Sequence, residues 1–289
     1  SHHQRTGEPF DCTRNRRGYL VGVEIQSTTL NELLDDLDAE HADLDHLVGA
    51  INESGWDRPT PAVGWAVRDQ LSHLAFFDDA AILAMTDPDA FAAMAEAAMA
   101  EEDPMQEHLR RGRALPGGEL LTWWRASRHL MVDVARTLPE GARVPWFGPP
   151  MGALSFVSAR LMETWAHGQD VADGLGAHRV PSARLRHIAH LGVRTRPYSY
   201  AVRGLDTPPS PVFVSLTGPG DELWEWGDAD ARADTVRGPA LDFCLVVTQR
   251  RHISDTALVV TGDAAADWMS IAQAFAGPPG PGRPAGLTP

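Results

Sequence analysis

The sequence predicts a mainly helical protein, a four-helix bundle over residues 27–207 followed by a small C-terminal α+β domain over residues 208–276. Three observations carry that fold class. Apolar residues recur at spacings of three and four through the long stretches before residue 205, the period of one buried helical face. Clusters of Gly and Pro punctuate those stretches where helices must stop. Past Pro208 and Pro209 the pattern turns to short runs rich in β-branched and aromatic residues.

The first helix is expected from Ser27 and Thr28, both good caps, with Leu30, Leu33, Leu34, Leu37, Leu44, Leu47, Val48 and Ile51 on one face. Its other face is acidic (Asp35, Asp36, Asp38, Glu40), the pattern of a solvated surface, and Gly55 and Pro59 end it. A polar loop leads to a second helix, WAVRDQLSHLAFFDDAAILAM, whose stripe includes Val67, Leu71, Leu74, Ile82 and Leu83. Residues 87–117 read as a short helix plus loop. A third helix, ELLTWWRASRHLMVDVARTL, runs to Pro139, and a turn-rich connector, PEGARVPWFGPPMG, precedes the fourth, ALSFVSARLMETWAHGQDVADGLG, closed by Gly174 and Gly176. SARLRHIAHLGVRTRPYSYAVRG reads as a fifth that fades toward Pro197. Beyond it VFVSL and ELWEW flank TGPGD as a hairpin, GPALDFCLVVTQRR reads as a helix, TALVVTG as a strand and DAAADWMSIAQAF as a helix. Residues 277–289 form a Gly/Pro-rich tail, expected to be unstructured or draped over the surface.

Bulk properties narrow the classes. With 289 residues, 43% of them hydrophobic, the chain suits one large or two ordinary domains. It has no apolar run near the ~18–20 residues that cross a bilayer, so no membrane partner is expected. A net charge of −14 argues against nucleic acid, which requires clustered Lys and Arg. Cys12 and Cys244 form no CxxC pair, which excludes a cysteine-based zinc site and fits a reducing cytoplasm. Residues 1–26 are locally basic and lack periodicity, and they read as an N-terminal extension or expression remnant. The expected partner is a small-molecule substrate; a homodimer is one assembly the sequence allows, and it does not fix the oligomeric state.

One stretch asks for chemistry. In METWAHGQD, Glu163 and His167 stand four apart and so share a helical face. His73 sits between Leu71 and Leu74 on the second helix, toward the bundle interior or its rim. Helical bundles build metal sites from side chains on facing helices. Two imidazoles and a carboxylate, with open positions left over, form the donor set of a catalytic site and suit Zn, Ni or Fe(II). Asp170, one turn beyond His167, is placed to orient an imidazole. The plainer alternatives are a surface Glu–His pair and a core-rim His73, with His187 and His190 as the closest rivals among the remaining histidines. Trp65, Phe76, Phe77, Trp123, Trp124, Phe156 and Trp165 are candidates to line a pocket, though aromatic residues at helical spacing usually pack in the core, as expected of Trp165.

GWAVRDQLSHLAFFDDAA and ARLMETWAHGQDVADGLG resemble the two signature stretches of the DinB-like metalloenzyme superfamily, and more narrowly the mycothiol-dependent maleylpyruvate isomerase N-terminal domain family. The family's Trp-x-x-x-Asp-x-x-x-His stretch is matched by Trp65, Asp69 and His73, and its Glu-x-x-x-His-x-x-Asp stretch by Glu163, His167 and Asp170. The closing stretch ALVVTGDAAADWMSIAQAFAGPPGPGR resembles the small α+β domain often fused to that bundle.

The resemblance implies a DinB-like bundle holding a divalent metal, zinc first, through His73, Glu163 and His167, with mycothiol as cosubstrate. It also implies an arginine from the C-terminal domain that binds an acidic substrate, which falls on Arg250 or Arg251, although Gln249-Arg250 stands where the family has Gly-Arg. A helix-end cation interacting with the macrodipole is the structural alternative for both arginines. The implied activity is thiol transfer, or isomerisation through a reversible thiol adduct, on a small electrophile. The alternatives are thiol-independent Lewis-acid hydrolysis, elimination or cyclisation, a non-catalytic metal- or small-molecule-binding protein, and a scaffold acting through its acidic face.

Overall fold

The computed structural model describes residues 28–286 except 101–105, 229 and 231. The expected N-terminal extension, with Cys12, and the last three residues of the tail lie outside the described residues.

Helix α1 (Leu30–Val48) starts later than Ser27 and Thr28 suggest, because the residue that caps it is Thr29. The Thr29 hydroxyl accepts from the Glu32 N–H at 3.2 Å while the Glu32 carboxylate accepts from the Thr29 N–H at 2.8 Å, a reciprocal capping box. After the short α2 (Glu53–Trp56) comes α3 (Val67–Thr86). Two helices, α4 (Pro88–Ala100) and α5 (Gln106–Ala114), replace the single short helix expected there. The Asp87 carboxylate accepts from the Ala90 N–H at 3.0 Å, and Pro88 supplies a first helical residue that needs no donor, so α4 can begin at once.

Helix α6 (Gly117–Arg136) opens on a glycine for a packing reason. A Cβ there would collide with the Trp56 indole, and the Gly117 N–H instead donates to both Glu53 oxygens, at 3.0 and 3.1 Å. The turn-rich connector folds into a small antiparallel hairpin, β1 (Arg143–Val144) with β2 (Met151–Gly152). Helix α7 (Ala153–Leu175) closes on Gly176 in the left-handed region, φ 67°, as expected of a glycine there. The fifth predicted helix is two, α8 (Leu185–Arg194) and α9 (Arg196–Ala201), since Pro197 starts a new first turn more readily than it continues an old one.

The C-terminal unit is a four-stranded sheet in the order β4-β3-β5-β6: β3 (Phe213–Thr217), β4 (Leu223–Trp226), β5 (Thr235–Pro239) and β6 (Val259–Thr261). The expected hairpin is the antiparallel pair β3 and β4, with Val214 opposite Trp226. The sequence reading missed β5 because TVRGP lacks alternation and ends in Gly-Pro. Parallel pairing to β3, Val214 beside Val236, defines it instead. Helices α10 (Ala240–Val247) and α11 (Asp263–Ile271) complete the unit.

In the bundle α3 packs on α6 and α7, and α1 on α6 and α7. One apolar cluster holds Leu44, Trp56, Leu71, Leu74 and Trp124 near one end. A larger one runs from Leu37, Phe156 and Trp165 through Ile188 of α8 to Phe243 and Trp268 of the C-terminal unit. Each such side chain is worth ~1.5–3 kcal/mol when fully buried, so the sheet is joined to the bundle by shared core. The joint is tight: a Cβ on Gly192 of α8 would lie 2.8 Å from Val247 of α10.

Candidate metal centre

The start of α3 is fixed by Asp69, whose carboxylate accepts from the Ala66 N–H at 2.8 Å. Arg113 of α5 grips the same carboxylate with Nε at 2.8 Å and Nη2 at 3.1 Å. The aspartate of the Trp-x-x-x-Asp-x-x-x-His stretch is thus a cap and a tie, and it sets the turn from which His73 projects. Glu163 and His167 project from α7, which packs against α3.

Side chains of His73, Glu163 and His167 converge. One donor atom from each lies within 4.8 Å of the others, and no other His, Cys, Asp or Glu cluster of three meets that condition among the described residues. Glu163 Oε2 is 3.2 Å from His167 Nε2 and 3.8 Å from His73 Nε2. Donors ~2.0–2.2 Å from a tetrahedral zinc lie about 3.4 Å from one another, so this set is already close to the spacing one cation imposes. Both imidazoles are buried and Glu163 is 20% exposed.

The hydrogen bonds around His167 dictate its tautomer. The Thr60 hydroxyl donates to the Trp65 carbonyl at 2.9 Å and accepts from Gln70 Nε2 at 2.9 Å. Gln70 therefore turns its carbonyl oxygen toward His167 Nδ1, 2.5 Å away, and that nitrogen must carry a proton. With Nδ1 committed to Gln70, Nε2 is the nitrogen that faces the shared point, 3.2 Å from Glu163. A different partner serves His73: its Nδ1 is 3.4 Å from Nε2 of His108 on α5. The Ser72 hydroxyl, donating to the His108 carbonyl, holds that residue in place.

Electrostatics favour the donor forms. Burial first, and the neighbouring His167 second, push the His73 pKa down to about 3, so the imidazole is neutral. Burial alone would raise Glu163, but hydrogen bonding with His167 and His73 outweighs it and holds the carboxyl well below its usual range. In the metal-free protein the carboxylate is therefore the acceptor facing both Nε2 positions, and a divalent cation bound there would displace their protons and take the same three atoms as ligands.

Other expected residues sit elsewhere. Asp170 does not orient an imidazole; Gln70 does that, and Asp170 accepts from Arg250 Nη2 at 2.9 Å and from Arg283 of the tail. Arg250, expected to reach an acidic substrate, directs its other donors at the Ala166 carbonyl (3.2 Å) and the Thr248 carbonyl (2.6 Å). Arg251 pairs with Asp173 at 2.7 Å. These contacts tie the C-terminal unit to α7, and Arg283 pins the described part of the tail to the same helix. The rival histidines are occupied elsewhere, His187 with Asp36 at 2.7 Å and His190 as acceptor from the Trp226 indole at 3.1 Å.

Of the candidate aromatic residues, Trp65 stacks on His167 at 5.9 Å and 14°, and Phe77 meets His73 at 4.6 Å. Phe76 packs against His108 at 5.5 Å. Trp124, Phe156 and Trp165 are core, and the Trp123 indole donates to Asp79 at 2.7 Å. Sequence reasoning gave no role to Gln70, Trp146 and Phe147, and it counted His108 only among many histidines. Gln70 three residues before His73 is the signal that was available, since i and i+3 share a face.

Comparison with known proteins adds lineage. Residues 37–172 match the profile of the mycothiol maleylpyruvate isomerase N-terminal domain. Two Mycobacterium tuberculosis proteins, described as uncharacterized proteins Rv0036c and MT0041, are each 47% identical over 249 residues, 86% of this chain and 96% of theirs. The fold is similar to that of a crystal structure of the mycothiol-dependent maleylpyruvate isomerase, with TM-score 0.56 and 14% identity, over 81% of this chain and 93% of that one. A single-substitution mutant of the same isomerase gives a TM-score of 0.55 at 16% identity over the same shares.

Proposed function

This chain belongs to the mycothiol maleylpyruvate isomerase N-terminal domain family, and on that premise we propose that it is a divalent-metal-dependent enzyme acting on a small electrophilic metabolite with a thiol, by transfer or by thiol-assisted isomerisation. The observation that carries the reading is the convergence of His73, Glu163 and His167, with the His167 ring already oriented by Gln70. The thiol we assign is mycothiol, after the family, and zinc is the first expectation for the metal. When bound, such a cation supplies a Lewis acid that stabilises a thiolate or polarises a carbonyl.

The chain's own residues do the rest. Glu163 supplies the one negative charge of the donor set, and the two neutral imidazoles leave a divalent centre with net positive charge for a thiolate. Gln70 keeps the proton on His167 Nδ1, and Trp65 covers that ring from one side. Isomerisation would proceed by addition of the thiolate to a carbon conjugated with a carbonyl. One C–S bond forms, the former double bond rotates as a single bond, and expulsion of the thiolate restores the double bond in the other geometry.

Elemental analysis of the wild type against His167→Ala tests the site, with about one metal per chain expected in the first and little in the second. Equal metal in both would remove it. Turnover of an electrophile panel with and without mycothiol tests the chemistry, and turnover that needs metal but ignores the thiol would favour the Lewis-acid alternative.

A further inference from the structure

An aromatic wall leads from the donor set to solvent. Phe77 stands one turn beyond His73 on the same face of α3, and the rings are 4.6 Å apart. Phe147, in the connector between β1 and β2, continues the wall at 5.6 Å from Phe77 and is 37% exposed. Its neighbour Trp146 stacks on Phe91 at 5.7 Å and 7° and meets Phe156 edge-on at 5.1 Å, so the loop that offers Phe147 is anchored in the core. The wall therefore touches a ligand imidazole at one end and water at the other.

Three arginines of the helices and of the C-terminal unit are already engaged. Arg160 of α7 faces the buried Asp78 at 2.8 Å, Arg113 faces Asp69, and Arg250 faces Asp170. Each of these three guanidinium groups is matched by a carboxylate of the chain itself, while Arg143 of β1, beside the Phe147 loop, donates to the Pro150 carbonyl. The faces of aromatic rings carry partial negative charge and do not welcome a carboxylate.

We infer that the electrophile handled here is not a small dianion but a ketone or enone with an apolar planar end, its carbonyl toward the donor set and its aryl or conjugated hydrocarbon end against Phe77 and Phe147. The inference rests on the proposed function for the carbonyl half and on the wall for the apolar half. An aromatic contact with a ring already held in place adds affinity without ordering a flexible side chain.

The test is calorimetry on the zinc-loaded full chain with 4-phenylbutan-2-one, a ketone with an aryl end and no double bond for a thiol to attack, against maleate. The ketone should bind at least about tenfold more tightly than maleate, and Phe147→Ala should weaken it by about tenfold, the scale of one lost aromatic contact. Phe77→Ala should weaken it further; if that variant fails to fold, Phe147→Ala alone decides. Maleate binding as tightly as the ketone, or Phe147→Ala binding the ketone like wild type, would overturn the inference. Metal content measured on the same samples separates the two claims. A wild type that holds no zinc sinks the proposed function, while the ketone–maleate comparison on that protein still decides the wall.

Discussion

Glu163 and Asp170 stand two turns apart on α7 and keep opposite company. Glu163 meets two imidazoles, from His73 and His167. Asp170, 1% exposed, meets two guanidinium groups, from Arg250 and Arg283. Arginine is always charged, so the Asp170 carboxylate is matched by permanent cations and has nothing left to offer. Imidazoles, unlike guanidinium groups, give up a proton to become metal ligands, so the partners of Glu163 can be exchanged for a cation. Two acids of one sequence motif thus take different work, and their partners decide which.

The comparison breaks most sharply under paired substitution. Glu163→Gln should cost more than the ~100-fold in metal affinity that outlying partners of a metal site can cost, while leaving the fold intact. Asp170→Asn should do the reverse, keeping metal but losing about 1–3 kcal/mol of stability, because two partly buried arginines lose their counter-charge. Metal titration and denaturant unfolding of both variants check this, and metal loss in Asp170→Asn would erase the distinction.

A smaller effect is expected at Gln70. Gln70→Leu leaves all three donors but removes the acceptor that fixes the His167 proton, and metal affinity should drop by roughly 10- to 100-fold. Competition with a chelator would read it. Affinity unchanged from wild type would mean that the tautomer is set elsewhere.

The gentlest test is acid. Folded His73 has its pKa near 3 against an ordinary 6.5. Between those values the unfolded chain binds a proton that the folded chain refuses, so stability of the metal-free protein is full above pH 6.5 and falls as pH drops toward 3. Glu163, lowered below its ordinary 4.5, adds loss of the same sign below that pH. His73→Phe should flatten the upper part of the slope in pH-dependent unfolding, and an unchanged slope would place its origin in other groups.

Much of this was legible in the sequence because it is local. Helical period gave α1, α3, α6 and α7, and spacing put Glu163 and His167 on one face. What stayed hidden is what the chain brings together from a distance. The strand at Thr235–Pro239 exists through its parallel neighbour, and its own residues argue for a loop. Asp170 could be placed beside an imidazole by spacing, yet arginines 80 and 113 residues further along claim it. Gln70 and His108 needed the facing helices to be in place before their partners were visible, and Phe147 lay in a connector that reads as turns.

Three side chains gripping one ion are the centre of the proposed function, and a crystal structure of the zinc-loaded protein with data collected at the zinc edge addresses that directly. The anomalous peak should lie about 2.0–2.2 Å from His73 Nε2, His167 Nε2 and one Glu163 oxygen. A stoichiometric zinc bound anywhere else, with these three side chains untouched, would contradict it.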